Sequence, residues 1–226
     1  ELWGDMIEAE GVDIELVDES IVSNTAGILV DKDTYSEIES KYGSVSINTV
    51  IQATIDGEIA MGYTNPYASS TGLNFLVSAL NCFDSNDILS TEAVESFVDF
   101  QANVPFVAYT TLQMREAAES GALDAFIMEN QTLYNDPSLK NYKFIPFGVE
   151  HNNPVYALGD LTSSQEELLD MFVDYCKNSK SQKLADEYGF NQIKNYKSDI
   201  PDIAGTSLIS AQKLWKEEKD AGRPVV

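Results

Sequence analysis

Short β-type segments take turns with amphipathic helical ones along most of this chain, and that alternation constrains the fold more than any other feature. The strand-like runs are VDIEL in the 12–17 region, SIVSNTAGILV (20–30), EIAMGYT (58–64), VPFVAY (104–109), LDAFIM (123–128), YKFIPFGV (142–149) and NPVYALG (153–159). Between them lie helical signals. Residues 33–43 end at Gly43, residues 48–55 end at Asp56-Gly57, and Leu73, Leu76, Leu80 and Phe83 recur at helical spacing. Residues 91–101 and 110–121 read as two more, Gly121 sitting where a left-handed helix stop belongs. Strands joined through helices predict an α/β fold with mainly parallel sheets, because a parallel pair needs a crossover connection. Residues 161–191 predict one long helix with three overlapping capping registers: Thr162 with Gln165, Ser163 with Glu166, Ser164 with Glu167. A last helix is expected over 207–222, followed by RPVV as an abandoned strand start.

The charge balance removes several functions. With 14 basic against 37 acidic residues the net charge is −23, a poor match for nucleic acid, whose phosphates need clustered Lys and Arg. No apolar run reaches the roughly 20 residues that span a bilayer. The opening Glu1-Leu2-Trp3 reads as a processed or excised chain. Cys82 and Cys176 show no zinc-ligand spacing, so no metal is expected; they read as two unpaired thiols. A lone His151 supplies no nucleophilic triad. Phe75, Phe83, Phe97, Phe100 and Phe106 read as core.

TNPYASSTGLNFL (64–76) is the stretch most suggestive of a ligand. Pro66 forces an extended turn and a helix starts near Ser70 or Thr71, where unpaired amides and the helix dipole favour an anion or a carbonyl-rich solute. Asn65, Ser69, Ser70 and Thr71 add polar groups there, and Gly72 is expected to let a ligand approach the backbone. A plain helix cap explains the same letters. Two further corners repeat the design, Tyr109-Thr110-Thr111 and the polar loop Glu129-Asn130. All three fall at the carboxyl ends of expected strands, where open α/β sheets bind ligands. Tyr67 and Tyr109 are the aromatics placed to touch one.

GYTNPYASSTGLNFL, YTTLQMREAAESGALDAFIMEN, HNNPVYALG and FVDYCKNSKSQKLADEYGFN, in that order and spacing, resemble the extracellular solute-binding proteins of ABC transporters. The likeness is to the two-lobed type II periplasmic-binding fold, on its molybdate- and sulfate-like side, and spans roughly residues 20 to 200. It implies a cleft lined by Asn65, Ser69, Ser70, Thr71, Thr110, Thr111, Glu129 and Asn130, with Asn24 on the strand leaving lobe I. It implies a domain division of 1–47 (end of lobe I and hinge strand), 48–148 (lobe II) and 149–226 (return to lobe I with C-terminal helices). The first half of lobe I is missing from the pattern, so an exposed lobe I edge and dimerisation across it are expected. The tail from Pro201 onward resembles the linker to a von Willebrand factor A-like domain of bacterial surface proteins.

The resemblance implies a binding protein and not an enzyme, one that needs no cofactor. It would take a small polar or anionic solute to the membrane subunits of a transporter, outside the cytoplasm, as an extracellular or membrane-anchored lipoprotein. The alternative is a cell-surface interaction or adhesion domain that keeps the fold without transport. A hydrolase or transferase with Glu129 as base lacks a visible nucleophile and orienting partner.

Overall fold

The computed structural model describes residues 2–220; the expected RPVV strand start lies outside them. In chain order the first elements are α1 (Leu2–Ala9), β1 (Ile14–Asp18), β2 (Ala26–Asp31), α2 (Lys32–Tyr42) and α3 (Ile47–Ile55). β3 (Met61–Thr64), α4 (Ser70–Phe83), α5 (Thr91–Asn103), β4 (Phe106–Ala108) and α6 (Thr111–Glu119) follow. The rest are β5 (Ala125–Glu129), α7 (Asn130–Asn135), β6 (Tyr142–Pro146), β7 (Val155–Leu158), α8 (Ser163–Lys177), α9 (Ser179–Glu187) and α10 (Gly205–Asp220).

Side-chain caps fix most helix starts. Ser46, Ser69, Ser90 and Thr110 each accept a bond from the backbone amide three residues on, leaving one fewer orphan donor per helix. Of the three registers open to α8, the structure uses Thr162 with Gln165. Its helix does not run on to residue 191 as expected. Asn178 leaves the helical conformation and its side chain accepts from the amides of Lys180 and Ser181, so α9 begins anew. Gly121 does take the left-handed conformation (φ 75°) after α6.

The main sheet has the order β4-β3-β5-β2-β6. β3 pairs in parallel with β4 and β5, while β2 runs antiparallel to both its neighbours, β5 and β6. Four of the five strands therefore share one direction, and β2 alone opposes them. One face carries the larger core, with Val50, Leu73, Phe75, Phe97, Phe100 and Trp215 all at or near zero exposure. The other face packs Leu29, Met114, Leu123, Phe126 and Met128 under α6. Burial of side chains of this size contributes about 1.5–3 kcal/mol each. α10 packs against α1 and also against α4 and α5. The Trp215 Nε1–H donates to the Tyr63 hydroxyl (2.6 Å), and the Gln212 amide donates to the Pro66 carbonyl (2.9 Å).

Four stretches of chain join a smaller part to this body, and two of them, residues 19–25 and 147–154, cross side by side. Asn24 and His151 join them as an isolated antiparallel bridge, each donating its N–H to the other's carbonyl (2.9 and 2.8 Å). Beyond the bridge lies a two-stranded antiparallel ribbon, β1–β7, with Ile14 opposite Leu158. α8 and α9 pack on each other, and Lys177 ties α8 to Asp18 of β1 (2.7 Å). None of the fifteen residues of α8 is buried: Leu168, Met171 and Tyr175 are 66%, 63% and 70% exposed. Cys82 on α4 and Cys176 on α8 carry free thiols. No helix among the described residues is long and apolar enough to cross a membrane.

Candidate functional site

Because β4, β3 and β5 are parallel neighbours, their carboxyl ends come out along one edge of the sheet. Thr64 stands opposite Ala108, and Ala26 of the oppositely directed β2 stands opposite Glu129. That register brings the β4–α6, β3–α4 and β5–α7 corners to the edge from which the crossing segments leave. Direct bonds join them. The Asn65 amide donates to the Ala108 carbonyl (2.7 Å), the Thr71 hydroxyl donates to the Glu129 carboxylate, and the Asn130 amide donates to the Thr25 carbonyl (2.8 Å). The Asn24 side chain accepts from the amides of Thr25 (3.0 Å) and Gln131 (3.1 Å), tying the crossing segment to the start of α7.

The side chains divide by what they do at this edge. Asn65 is buried and its Oδ1 accepts from the Tyr67 amide, closing the turn. Ser69 caps α4 through the Gly72 amide and accepts from the Thr64 hydroxyl. Thr71, expected to face a ligand, is fully buried and serves as a strut to Glu129. Gly72 is required for packing and not for ligand approach, since a Cβ there would collide with the Thr64 carbonyl. Thr110 is a cap in a reciprocal box with Gln113, whose side chain also takes the Tyr109 amide. The Tyr67 ring is engaged with Trp215 (centroids 6.1 Å apart). Ser70, Tyr109 and Thr110 remain exposed, and Ser69, Thr111, Glu129, Asn130 and Asn24 are partly so. Glu129 and Asn130 do not form a loop: α7 begins at Asn130.

A cavity of about 340 Å³ opens between the main body and the ribbon. α1 gives it Leu2, Trp3 and Ile7, the ribbon gives Ile14, Tyr156 and Leu158, and residues 149–154 of the crossing segment form its floor. Ser70, the first residue of α4, reaches it, whereas Thr110, Glu129 and Asn130 do not line it. Behind the floor sits a buried network that pattern reading missed. Asn74 of α4 has no exposed surface; its side chain donates to the Val149 carbonyl (2.8 Å), accepts from the Val149 amide (2.9 Å) and lies 3.1 Å from His151 Nε2. Burial holds the His151 imidazole down at a pKa of about 4, so the ring is neutral at physiological pH. The one legible signal for Asn74 was a polar residue inside an apolar run. Among the described residues no group of three or more His, Cys, Asp or Glu side chains stands ready to hold a metal ion.

No protein-family model and no curated protein matches this chain; its likenesses are structural. It resembles iron-bound HitA from Pseudomonas aeruginosa (TM-score 0.61, 15% identity), covering 98% of this chain and 80% of that one. It also resembles a putative extracellular solute-binding protein from Bordetella parapertussis (TM-score 0.62, 16% identity; 95% and 71% covered). A periplasmic thiamin binding protein is a third (TM-score 0.60, 10% identity; 88% and 65% covered). The chain thus spans about two thirds to four fifths of these structures, and the mixed α/β architecture is that of the type II periplasmic binding proteins.

Proposed function

We propose that this chain is a solute receptor acting outside the cytoplasm, binding a small polar solute between its two parts and presenting it to the membrane subunits of an ABC transporter. The observation that carries this reading is the shared edge: three βα corners and both crossing segments meet there, and a cavity of about 340 Å³ opens beside it at Ser70. Ligands of open α/β sheets sit at such strand ends, and a volume of this size lies within the range of small-molecule sites. The crossing segments would act as the hinge on which the ribbon and its helices close. Neutral groups that line the cavity (Ser70, Asn152, Asn153) would orient the solute, and no catalytic step is assigned to the site. Iron and thiamin, named for two structural neighbours, remain candidate cargoes only by analogy of fold.

The test is thermal unfolding against a panel of oxyanions, small carboxylates, sugars and amines. A ligand at 100 times its Kd stabilises by about 2.7 kcal/mol, and Ser70→Trp, which fills the cavity mouth, should abolish the gain. No stabilisation by any panel member would refute the reading.

A second reading is favoured by one observation, the bare apolar face of α8. On that reading the chain is a cell-surface interaction domain, as in the von Willebrand factor A-linked proteins its tail resembles, and it pairs through the ribbon edge. Light scattering over a range of concentrations tests it: a monomer at every concentration counts against self-pairing.

A further inference from the structure

The proposed cavity has an unusual charge balance, and that balance selects among solutes. Of the residues lining it, Glu150 is the one with an acidic side chain; no Lys or Arg lines it, and His151 is neutral at physiological pH. Among the described residues Glu150 has no cation within ion-pair distance, and Glu129, at the adjoining edge, has only the Thr71 hydroxyl as partner. The amide of Gly72, in the first turn of α4, is spent on the Ser69 cap, which weakens that helix start as an anion receptor. An anion entering here would lose its water without gaining a counter-charge from any lining side chain, and it would approach against a net charge of −23. A cation would meet the opposite conditions on both counts.

The walls define the rest of the molecule. Trp3 and Tyr156 bring aromatic surface to the cavity, and Leu2, Ile7, Ile14 and Leu158 complete an apolar lining. Aromatic faces attract cations as well as apolar groups, and the indole is the strongest of them. We infer that the solute is a small organic amine, a protonated nitrogen on an aromatic or branched apolar body. Its charge is met by Glu150 and its body lies against Trp3 and Tyr156. The inference rests on the solute-receptor reading above and names the class of solute for that same site; it replaces the anionic expectation drawn from the helix starts.

Three probes of matched shape separate the possibilities: 2-phenylethylamine, 2-phenylethanol and 3-phenylpropanoate, each titrated at pH 7 by calorimetry and by tryptophan fluorescence. Trp3 lines the cavity whereas Trp215 is 1% exposed, so a fluorescence change reports on the cavity. The amine is expected to bind at least tenfold more tightly than the carboxylate, with the alcohol between them. Glu150→Gln should bring the amine-to-alcohol affinity ratio close to one, whereas Glu166→Gln on α8 should leave the ratio unaltered. A carboxylate that binds as well as the amine overturns the inference, and so does a ratio that survives Glu150→Gln. If none of the three binds while another solute of the thermal panel still stabilises the protein in a Ser70-dependent way, the amine class fails and the receptor reading stands. If neither set binds, both fail.

Discussion

Acidification offers a direct measure of how firmly the two crossing segments are locked to α4. His151 sits on one of them with Nε2 3.1 Å from the Asn74 side chain, and burial lowers its pKa from 6.5 to about 4. The unfolded chain therefore binds a proton that the folded chain refuses between those values. Stability from this group is complete above pH 6.5 and is lost as pH falls toward 4. For a fully buried ring the shift removes about 2 kcal/mol between pH 7 and pH 5. The ring keeps part of its surface in water, so about 1 kcal/mol is the better expectation. The window also isolates His151. Asp18, Asp56, Glu58, Asp84 and Asp136 have carboxyl pKa values held below their usual range, and their contributions fade only as pH drops below about 4. Asp5 works in the opposite sense, its burial raising the pKa. Urea unfolding followed by tryptophan fluorescence at pH 7 and pH 5, for the wild type and for His151→Gln, reads the difference. The wild type should lose about 1 kcal/mol more than the variant. Equal losses would show that the imidazole titrates freely and that the segment carrying His151 is not locked to α4.

Three further outcomes follow from the same geometry. Asn74→Ala orphans the amide and carbonyl of part-buried Val149, at about 1–3 kcal/mol per group in full burial, so a loss of about 2–4 kcal/mol is expected; a loss under 1 kcal/mol would refute the double bond to Val149. Gly72→Ala drives a methyl into the Thr64 carbonyl and should cost about 1–3 kcal/mol, roughly 2–10 °C in Tm, where an open cleft-facing glycine would cost almost nothing. Burial pushes the Cys82 thiol up to about 12, so iodoacetamide at pH 8 should label Cys176 well before Cys82, and equal rates would contradict the packing of α4.

Much of this fold was legible because its signals are local. Helix starts carried their caps in the letters, as at Ser69 and Thr110, and the phenylalanines of α4 and α5 lay on the faces that bury them. The carboxyl-end corners were also readable, since a strand followed by a polar helix start needs only neighbouring residues. What escaped was set by distant partners. The direction of β2 depends on its pairing with β5 and β6, about 100 residues away, and period-two alternation is the same in either direction. Asn178 looks like one more polar residue on an amphipathic helix until its side chain turns back to cap α9. Within the site, Ser70 and Thr71 are chemically alike and adjacent, yet a rotation of about 100° per residue puts one at the cavity and the other inside the protein. The cavity walls come from α1 and the ribbon, whose letters carry no ligand signature at all.

The uncovered side of α8 has a thermodynamic consequence. A two-stranded ribbon with helices that have no fully buried residue holds its shape weakly by internal packing, and it leans on the bridge and on the bonds from Gln131 and Asn135 to the Tyr188 carbonyl. Whatever surface comes to shield Leu168, Met171 and Tyr175 also contributes to the folding of that half. A partner on that face would couple its association to the folding of that half through mass action.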